Sequence, residues 1–94
     1  MNRDGLIKAL EEKFPNKNFM TTEEFYGSRE GQMKGVWTSG EDEQTVKSGL
    51  RLFDYYAESE SYVFGVEKTF HNWLEKRGWY CEWHDAGTMM IWEA

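Results

Sequence analysis

The C-terminal stretch of the sequence constrains the fold more than any other part of the chain. Residues 79–84 and 88–92 are rich in large apolar side chains and flank the turn sequence Asp85-Ala86-Gly87. A three-residue loop with a glycine is a common connection between antiparallel strands, so this pattern predicts a β-hairpin. Counting outward from a pair of His84 and Thr88 predicts four further cross-strand pairs: Trp83 with Met89, Glu82 with Met90, Cys81 with Ile91, and Tyr80 with Trp92.

Side chains along each strand alternate between two faces of this hairpin. One face is almost wholly apolar and is expected to cover the core; it carries Trp79, Cys81, Trp83, Met89 and Ile91. The opposite face, called the hairpin face below, is mixed; beside Thr88 it carries Tyr80, Glu82, His84, Met90 and Trp92. A register slip of one residue would exchange the faces of one strand, so both assignments depend on the loop length.

Two amphipathic helices are expected to pack on the apolar face. Residues 4–14 place apolar side chains on one stripe, with Asn2 or Asp4 as the N-cap and Pro15 as the terminator. Residues 65–77 repeat the same spacing and end before Gly78, a residue suited to a left-handed C-terminal position.

The remaining segments predict further strands. Residues 19–26 and 33–38 have strand-like composition, and the apolar cluster at residues 50–56 is expected to form a central strand. Each half of the chain has a helix, a breaker and two strands, the last ending in an apolar–Trp pair (Val36-Trp37 or Ile91-Trp92). This suggests a weak αββ–αββ repeat.

Together these segments predict a single α+β domain over residues 1–94. The expected architecture has two layers, in which an antiparallel sheet of four to five strands packs one face against two helices. The residues expected in its core are Leu6, Leu10, Phe14, Trp37, Val66, Phe70, Leu74, Cys81, Trp83 and Ile91.

Composition narrows the possible functions. The net charge of −6 argues against direct binding to nucleic acid or to an anionic membrane, because both require clustered Lys and Arg. The single cysteine excludes an internal disulfide and fits a reducing cytoplasm, where we expect the protein to act. The N-terminus does not resemble a signal peptide, and no stretch approaches the ~18 apolar residues of a membrane span.

No motif predicts a metal site, a cofactor or a catalytic centre. Cys81 and His84 lie three residues apart, so on a regular strand they are expected to point to opposite faces, which disfavours both a zinc site and a thiol–imidazole pair. A cysteine-dependent enzyme that uses Cys81 with His84 or His71 is kept as the second alternative function.

Two features favour a binding role. The hairpin face carries residue types that are enriched in protein interfaces, and Glu41, Asp42 and Glu43 form an acidic segment suited to a basic partner. We therefore expect a non-enzymatic protein-binding protein. A homodimeric structural module that buries the hairpin face is the first alternative, and both a monomer and a homodimer stay open. Intramolecular cover of this face, by residues 50–56 or by the first helix, would remove the contact surface.

Two sequence segments carry a resemblance to known proteins. Phe53-Asp54-Tyr55-Tyr56-Ala57-Glu58 and residues 79–88 resemble segments of small uncharacterised proteins of bacteriophages and prophages. The resemblance transfers no catalytic residues. It implies an accessory protein that acts in a host cytoplasm, and such proteins often bind and block a host or defence protein.

Overall fold

The computed structural model describes residues 1–27 and 34–94. In chain order its elements are α1 (Arg3–Lys13), β1 (Phe19–Thr21), α2 (Thr22–Tyr26), β2 (Val36–Ser39), β3 (Tyr62–Val63), β4 (Val66–Glu67), α3 (Lys68–Glu75), β5 (Trp79–Asp85) and β6 (Thr88–Glu93). Among the described residues, four strands form an antiparallel sheet in the order β1-β2-β6-β5, and β3 pairs with β4 separately. The predicted α+β class is confirmed.

The C-terminal hairpin has the predicted register along most of its length. Tyr80 pairs with Trp92, and the other three predicted pairs, Cys81–Ile91, Glu82–Met90 and Trp83–Met89, also form. The prediction is wrong at the turn, where Asp85 rather than His84 pairs with Thr88. An irregularity between Trp83 and Asp85 takes up the extra residue, as a β-bulge does, and shortens the loop to Ala86-Gly87.

The sheet is built from two similar halves. Each half contributes a helix followed by two sheet strands: α1, β1 and β2, then α3, β5 and β6. The halves join along β2 and β6, where Val36 pairs with Ile91 and Thr38 pairs with Met89. The αββ–αββ organisation is therefore present, with α2 inserted in the first half and β3–β4 inserted between the halves.

One buried cluster joins the helices to the sheet. It contains Leu6, Leu10, Phe14, Phe19, Val36, Leu52, Phe53, Val66, Phe70, Leu74, Trp79, Met89 and Ile91, with Cys81 and Trp83 packed against it as half-buried residues. The prediction for Trp37 is wrong. Trp37 is only half-buried, because its neighbours Val36 and Thr38 occupy the core-facing positions of β2 and alternation turns Trp37 to the other face.

The single strand predicted over residues 19–26 is also wrong, because β1 ends at Thr21 and a short helix follows. Thr21 and Glu24 form a capping box: Thr21 Oγ1 accepts from the Glu24 N–H at 3.0 Å, and the Glu24 carboxylate accepts from the Thr21 N–H at 2.9 Å. Gly27 ends the helix in the left-handed conformation, with φ 59°. The strand predicted over residues 33–38 begins at Val36, and Met33 lies outside the described residues.

Residues 50–56 do not form the predicted central strand. The described chain between residues 44 and 60 makes only isolated bridges, Thr45 with Arg51 and Phe53 with Val66. Leu52 and Phe53 are consecutive and both buried. A regular strand would send consecutive side chains to opposite faces, so the core is reached here by an irregular segment.

The helix ends follow local capping. Asn2, rather than Asp4, caps α1 by accepting the Gly5 N–H at 2.8 Å. The α3 helix starts at Lys68, later than predicted, because Val66 and Glu67 form β4 and the buried Glu67 carboxylate caps the helix. Gly78 adopts the predicted left-handed conformation after α3, with φ 83°. Among the described residues, no helix combines the length and the apolar composition that crossing a bilayer requires.

An ion pair fixes α2 to the first helix. Arg3 Nη1 donates to both carboxylate oxygens of Glu23, at 2.8 and 2.9 Å, and lies 3.4 Å from the Gly35 carbonyl oxygen. This contact with Arg3 is the main reason that the pKa of Glu23 falls to about 2.

We predict that this ion pair contributes to acid stability. Because the folded-state pKa of Glu23 lies below its ordinary value of 4.5, its contribution is present above pH 4.5 and is lost as the pH falls toward about 2. Glu23→Gln should lower the free energy of unfolding at pH 7 and weaken its decline between those pH values, measured by urea denaturation. Glu12→Gln, at an exposed position of α1, is the control. An unchanged pH profile in Glu23→Gln contradicts the prediction.

Candidate functional site

The structure places most of the hairpin face on the side of the sheet opposite the core. Trp37 pairs with Met90, and Met90 pairs with Glu82, so these side chains form one row across three strands. Residues 50–56 and the first helix send Leu52, Phe53, Leu6 and Leu10 into the core cluster rather than over this face. Part of the cover comes from α2, because the Phe25 ring stacks on Trp37 with centroids 4.9 Å apart and an interplanar angle of 11°.

The five residues predicted for the hairpin face differ in accessibility. Met90 is only 2% exposed, so its expected role in contacting a partner is wrong and it packs beneath the surface instead. Trp92 is half-buried, whereas Tyr80, Glu82 and His84 are exposed. The exposed part of the face is therefore the β5 row.

Trp92 organises this surface by packing on a glycine. A Cβ atom at Gly35 would lie 2.5 Å from Trp92 Cε3, so no other residue allows the indole this position. The indole N–H donates to Glu82 Oε1 at 3.1 Å. Trp92 therefore holds the Glu82 carboxylate in place beside Tyr80.

The residues around Tyr80 leave a shallow concavity of about 350 Å³, lined by Lys34, Tyr80, Glu82, Trp92 and Glu93. At the other end of the β5 row, the Tyr26 hydroxyl lies 3.5 Å from His84 Nδ1. His84 therefore lies against α2, and sequence reasoning did not place Phe25 or Tyr26 on this surface. The capping-box sequence at residues 21–24 is the signal that could have done so.

The acidic segment lies elsewhere, beside the β5–β6 turn. The Gly40 N–H donates to the Gly87 carbonyl at 2.9 Å, and Glu41 packs against Gly87. Glu41 lines a different concavity, which shares no described residue with the one at Tyr80. The structure therefore does not join the acidic segment to the hairpin face.

Asp42 has a structural role within the acidic segment. Its carboxylate pairs with the ammonium group of Lys17, whose side chain is wholly buried, and the same ammonium donates to the Ser39 carbonyl at 2.7 Å. Burial lowers the pKa of Lys17, and the contact with Asp42 opposes that shift. Glu41 and Glu43 are exposed.

Sequence reasoning missed Phe64. This residue and Gly65 form the two-residue turn between β3 and β4, and both have positive φ, 49° and 78°. The Phe64 side chain is 92% exposed, and its carbonyl accepts the Trp83 indole N–H at 2.7 Å. A left-handed conformation is rare for a bulky residue. The available signal was a residue–Gly pair between two short apolar segments, a common hairpin sequence.

The geometry does not support thiol chemistry at Cys81. The expected divergence is observed, since Cys81 packs against the core while His84 contacts Tyr26 over the opposite face. His71 lines the same concavity as Cys81, but burial raises the pKa of the Cys81 thiol and so disfavours the thiolate that a nucleophile or metal ligand requires. The described residues contain no group of three or more His, Cys, Asp or Glu placed to hold a metal ion.

Comparisons with known proteins add no assignment. No family model, no curated protein and no solved structure matches this chain.

The buried Lys17 predicts unequal effects for two neighbouring acids. Asp42→Asn should lower the free energy of unfolding by about 1–3 kcal/mol, because it leaves a buried ammonium group without its countercharge. Glu43→Gln, at an exposed neighbouring position, should change it by less than about 0.5 kcal/mol. Urea denaturation at pH 7 measures both, and equal losses would contradict this role of Asp42.

The raised pKa of Cys81 predicts an unreactive thiol. The native protein should react with a disulfide reagent such as DTNB at pH 8 at least about 100-fold more slowly than the protein unfolded in guanidinium chloride, since only the exposed thiolate attacks. Similar rates in the two states would contradict the raised pKa of the Cys81 thiol and revive the cysteine-enzyme alternative.

Proposed function

We propose that this chain is a non-enzymatic binding protein that acts by occupying the surface of another protein. The observation that carries the proposal is a set of exposed aromatic side chains on one side of the sheet. Phe25 is 37% exposed, and Tyr26 and Tyr80 are each 40% exposed. Aromatic residues of this kind are enriched where proteins bind one another, because a single ring contributes a large contact area.

The layer beneath these rings supports a preorganised contact surface. Trp37 is stacked under Phe25, and Trp92 is seated on Gly35 and bonded to Glu82. Side chains already held in one conformation lose less entropy on binding, so more of the contact energy contributes to affinity.

Charge and resemblance support the kind of partner. The net charge of −6 and the exposed Glu82 favour a partner with a basic surface, since complementary charge speeds association and disfavours other partners. The resemblance to small phage and prophage proteins favours a host or defence protein, which binding would block. Cytoplasmic action is part of the same proposal.

Photo-crosslinking tests this proposal in a bacterial cytoplasm. We expect p-benzoylphenylalanine at position 80 to form a discrete adduct with a second protein, and Glu82→Lys in the same chain to remove that adduct. The same photoreactive residue at Lys8, on exposed α1, is the matched control and should give no such adduct. Absence of an adduct at position 80, or an adduct only with a second copy of this chain, would contradict the proposal; the latter would favour the homodimeric module.

Thermal unfolding separates loss of contact from loss of fold. Tyr80→Ala should shift the melting temperature by no more than about 4 °C, as expected for a surface substitution in a domain of this size. Trp92→Ala should lower it by more, because the indole fills the space above Gly35. A large fall in Tyr80→Ala would make Tyr80 a packing residue and remove it from the contact surface.

A further inference from the structure

Among the described strands, none lies beside the outer edge of β5. β5 is the terminal strand of the sheet, and the Ala94 N–H donates to the Gly78 carbonyl at 2.8 Å across the β5–β6 pair. Hydrogen-bonded and non-bonded pairs alternate along an antiparallel ladder. Tyr80 and Glu82 therefore direct their backbone groups to β6, whereas Cys81 and Trp83 direct theirs outward. No described residue hydrogen-bonds to these outward groups.

A concavity of about 230 Å³ runs beside this edge. Its described lining is mostly apolar: Val63, Phe64, Val66, His71, Cys81, Glu82 and Trp83. Small-molecule pockets usually measure about 300–1,000 Å³, so this space suits one side chain better than a metabolite.

Phe64 lines the concavity although its backbone conformation and the exposure of its ring are both energetically unfavourable. Its φ of 49° is unfavourable for a bulky residue, and its ring is almost fully exposed to water. Trp83, whose backbone groups face outward at the edge, donates its indole N–H to the Phe64 carbonyl. The same residue thus ties the Phe64 turn to the free edge.

We propose that the β5 edge accepts an extended segment of a partner protein as an additional strand. The backbone of that segment would bond to Cys81 and Trp83, one apolar side chain would enter the concavity beside Phe64, and a basic side chain would lie next to Glu82. This specifies the recognition mode of the binding function proposed above, and it rests on that function.

The edge itself defines the chemistry of the occupant. Outward N–H and C=O groups two residues apart match an extended backbone, which is the basis of strand addition to a sheet. Glu82 carries the one carboxylate among the described lining residues, in a chain of net charge −6, so it favours Lys or Arg over acidic residues. The irregularity at His84 interrupts the ladder, so the segment pairs with Trp79–Trp83 and is short.

Amide hydrogen exchange of the free protein tests the edge directly. The amides of Cys81 and Trp83 should exchange at least about 10-fold faster than those of Tyr80 and Glu82, which bond to β6. Equal protection of all four amides would show that the edge is already paired and would overturn the inference.

Synthetic peptides then test the occupant. The probe is a capped hexapeptide of alternating Lys and Leu, added to the 15N-labelled protein. Its binding should shift and protect the amides of Cys81 and Trp83. An analogue N-methylated at alternate residues keeps the side chains but loses the backbone donors, and it should bind at least about 10-fold more weakly. A hexapeptide of alternating Glu and Leu should bind more weakly than the Lys peptide.

Two variants locate the site. Val63→Trp should fill the concavity and weaken binding of the Lys peptide, and Glu82→Lys should reverse the preference between the Lys and Glu peptides, each with a melting temperature within about 4 °C of wild type. Lys8→Ala should bind as wild type. The edge inference would be overturned if the Lys peptide did not bind, or if the N-methylated peptide bound equally well. It would also be overturned if the peptide shifted only the amides of Lys34 and Tyr26, or if the chain dimerised and thereby protected the edge amides. None of these results alters the outcome of crosslinking at position 80, so failure of the binding function remains separately visible.

Discussion

The antiparallel pairing of β2 with β6 is the constraint on which the rest of the structure depends. It joins the two αββ halves through the pairs Val36–Ile91 and Thr38–Met89, whose side chains are buried. Strand alternation then sends Trp37, Met90 and Trp92 to the opposite side. A chain of 94 residues buries a limited fraction of its surface, and placing large side chains on both faces of one small sheet increases that fraction. The aromatic face proposed to bind a partner is therefore a consequence of how the core is built.

Glycines allow tryptophans to pack closely on both sides of the sheet. A Cβ atom would lie 2.5 Å from the Trp92 ring at Gly35 and 2.5 Å from the Trp83 ring at Gly40. Trp92 packs on Gly35 at the outer side of the sheet, and its indole N–H bonds to Glu82. The Trp83 indole N–H bonds to the Phe64 carbonyl and so links the sheet to the turn between β3 and β4. The hairpin face and the β5 edge meet at Glu82, which bonds to Trp92 and also lines the concavity beside Phe64. A partner segment bound along the β5 edge can thus contact the hairpin face as well.

Most of the C-terminal hairpin was predictable from the sequence, because alternation and a glycine-containing turn determine the register and the faces together. The turn was not predictable, because the amino-acid composition around His84 does not indicate a bulge. The core position predicted for Trp37 was wrong, although the internal repeat indicated the right one. Trp37 corresponds in the repeat to Trp92, which the sequence placed on the face opposite the core. The α2 helix was missed because five residues are too few for a visible helical period, and its capping box was the usable signal. The structure of residues 50–56 could not be predicted from the sequence, because Leu52 and Phe53 are buried by tertiary packing and belong to no regular strand.

The sheet separates its tryptophans, with Trp79 in the buried cluster and Trp92 on the opposite face against Gly35. A nuclear Overhauser spectrum of the labelled protein measures this separation. Cross-peaks are expected from the Trp92 indole to the Gly35 α-protons and from the Trp79 indole to the buried cluster that contains Leu6 and Leu74. Cross-peaks from the Trp92 indole to Phe70 or Leu74 would contradict it, because they would place that ring among the helices and leave no ordered aromatic face for a partner.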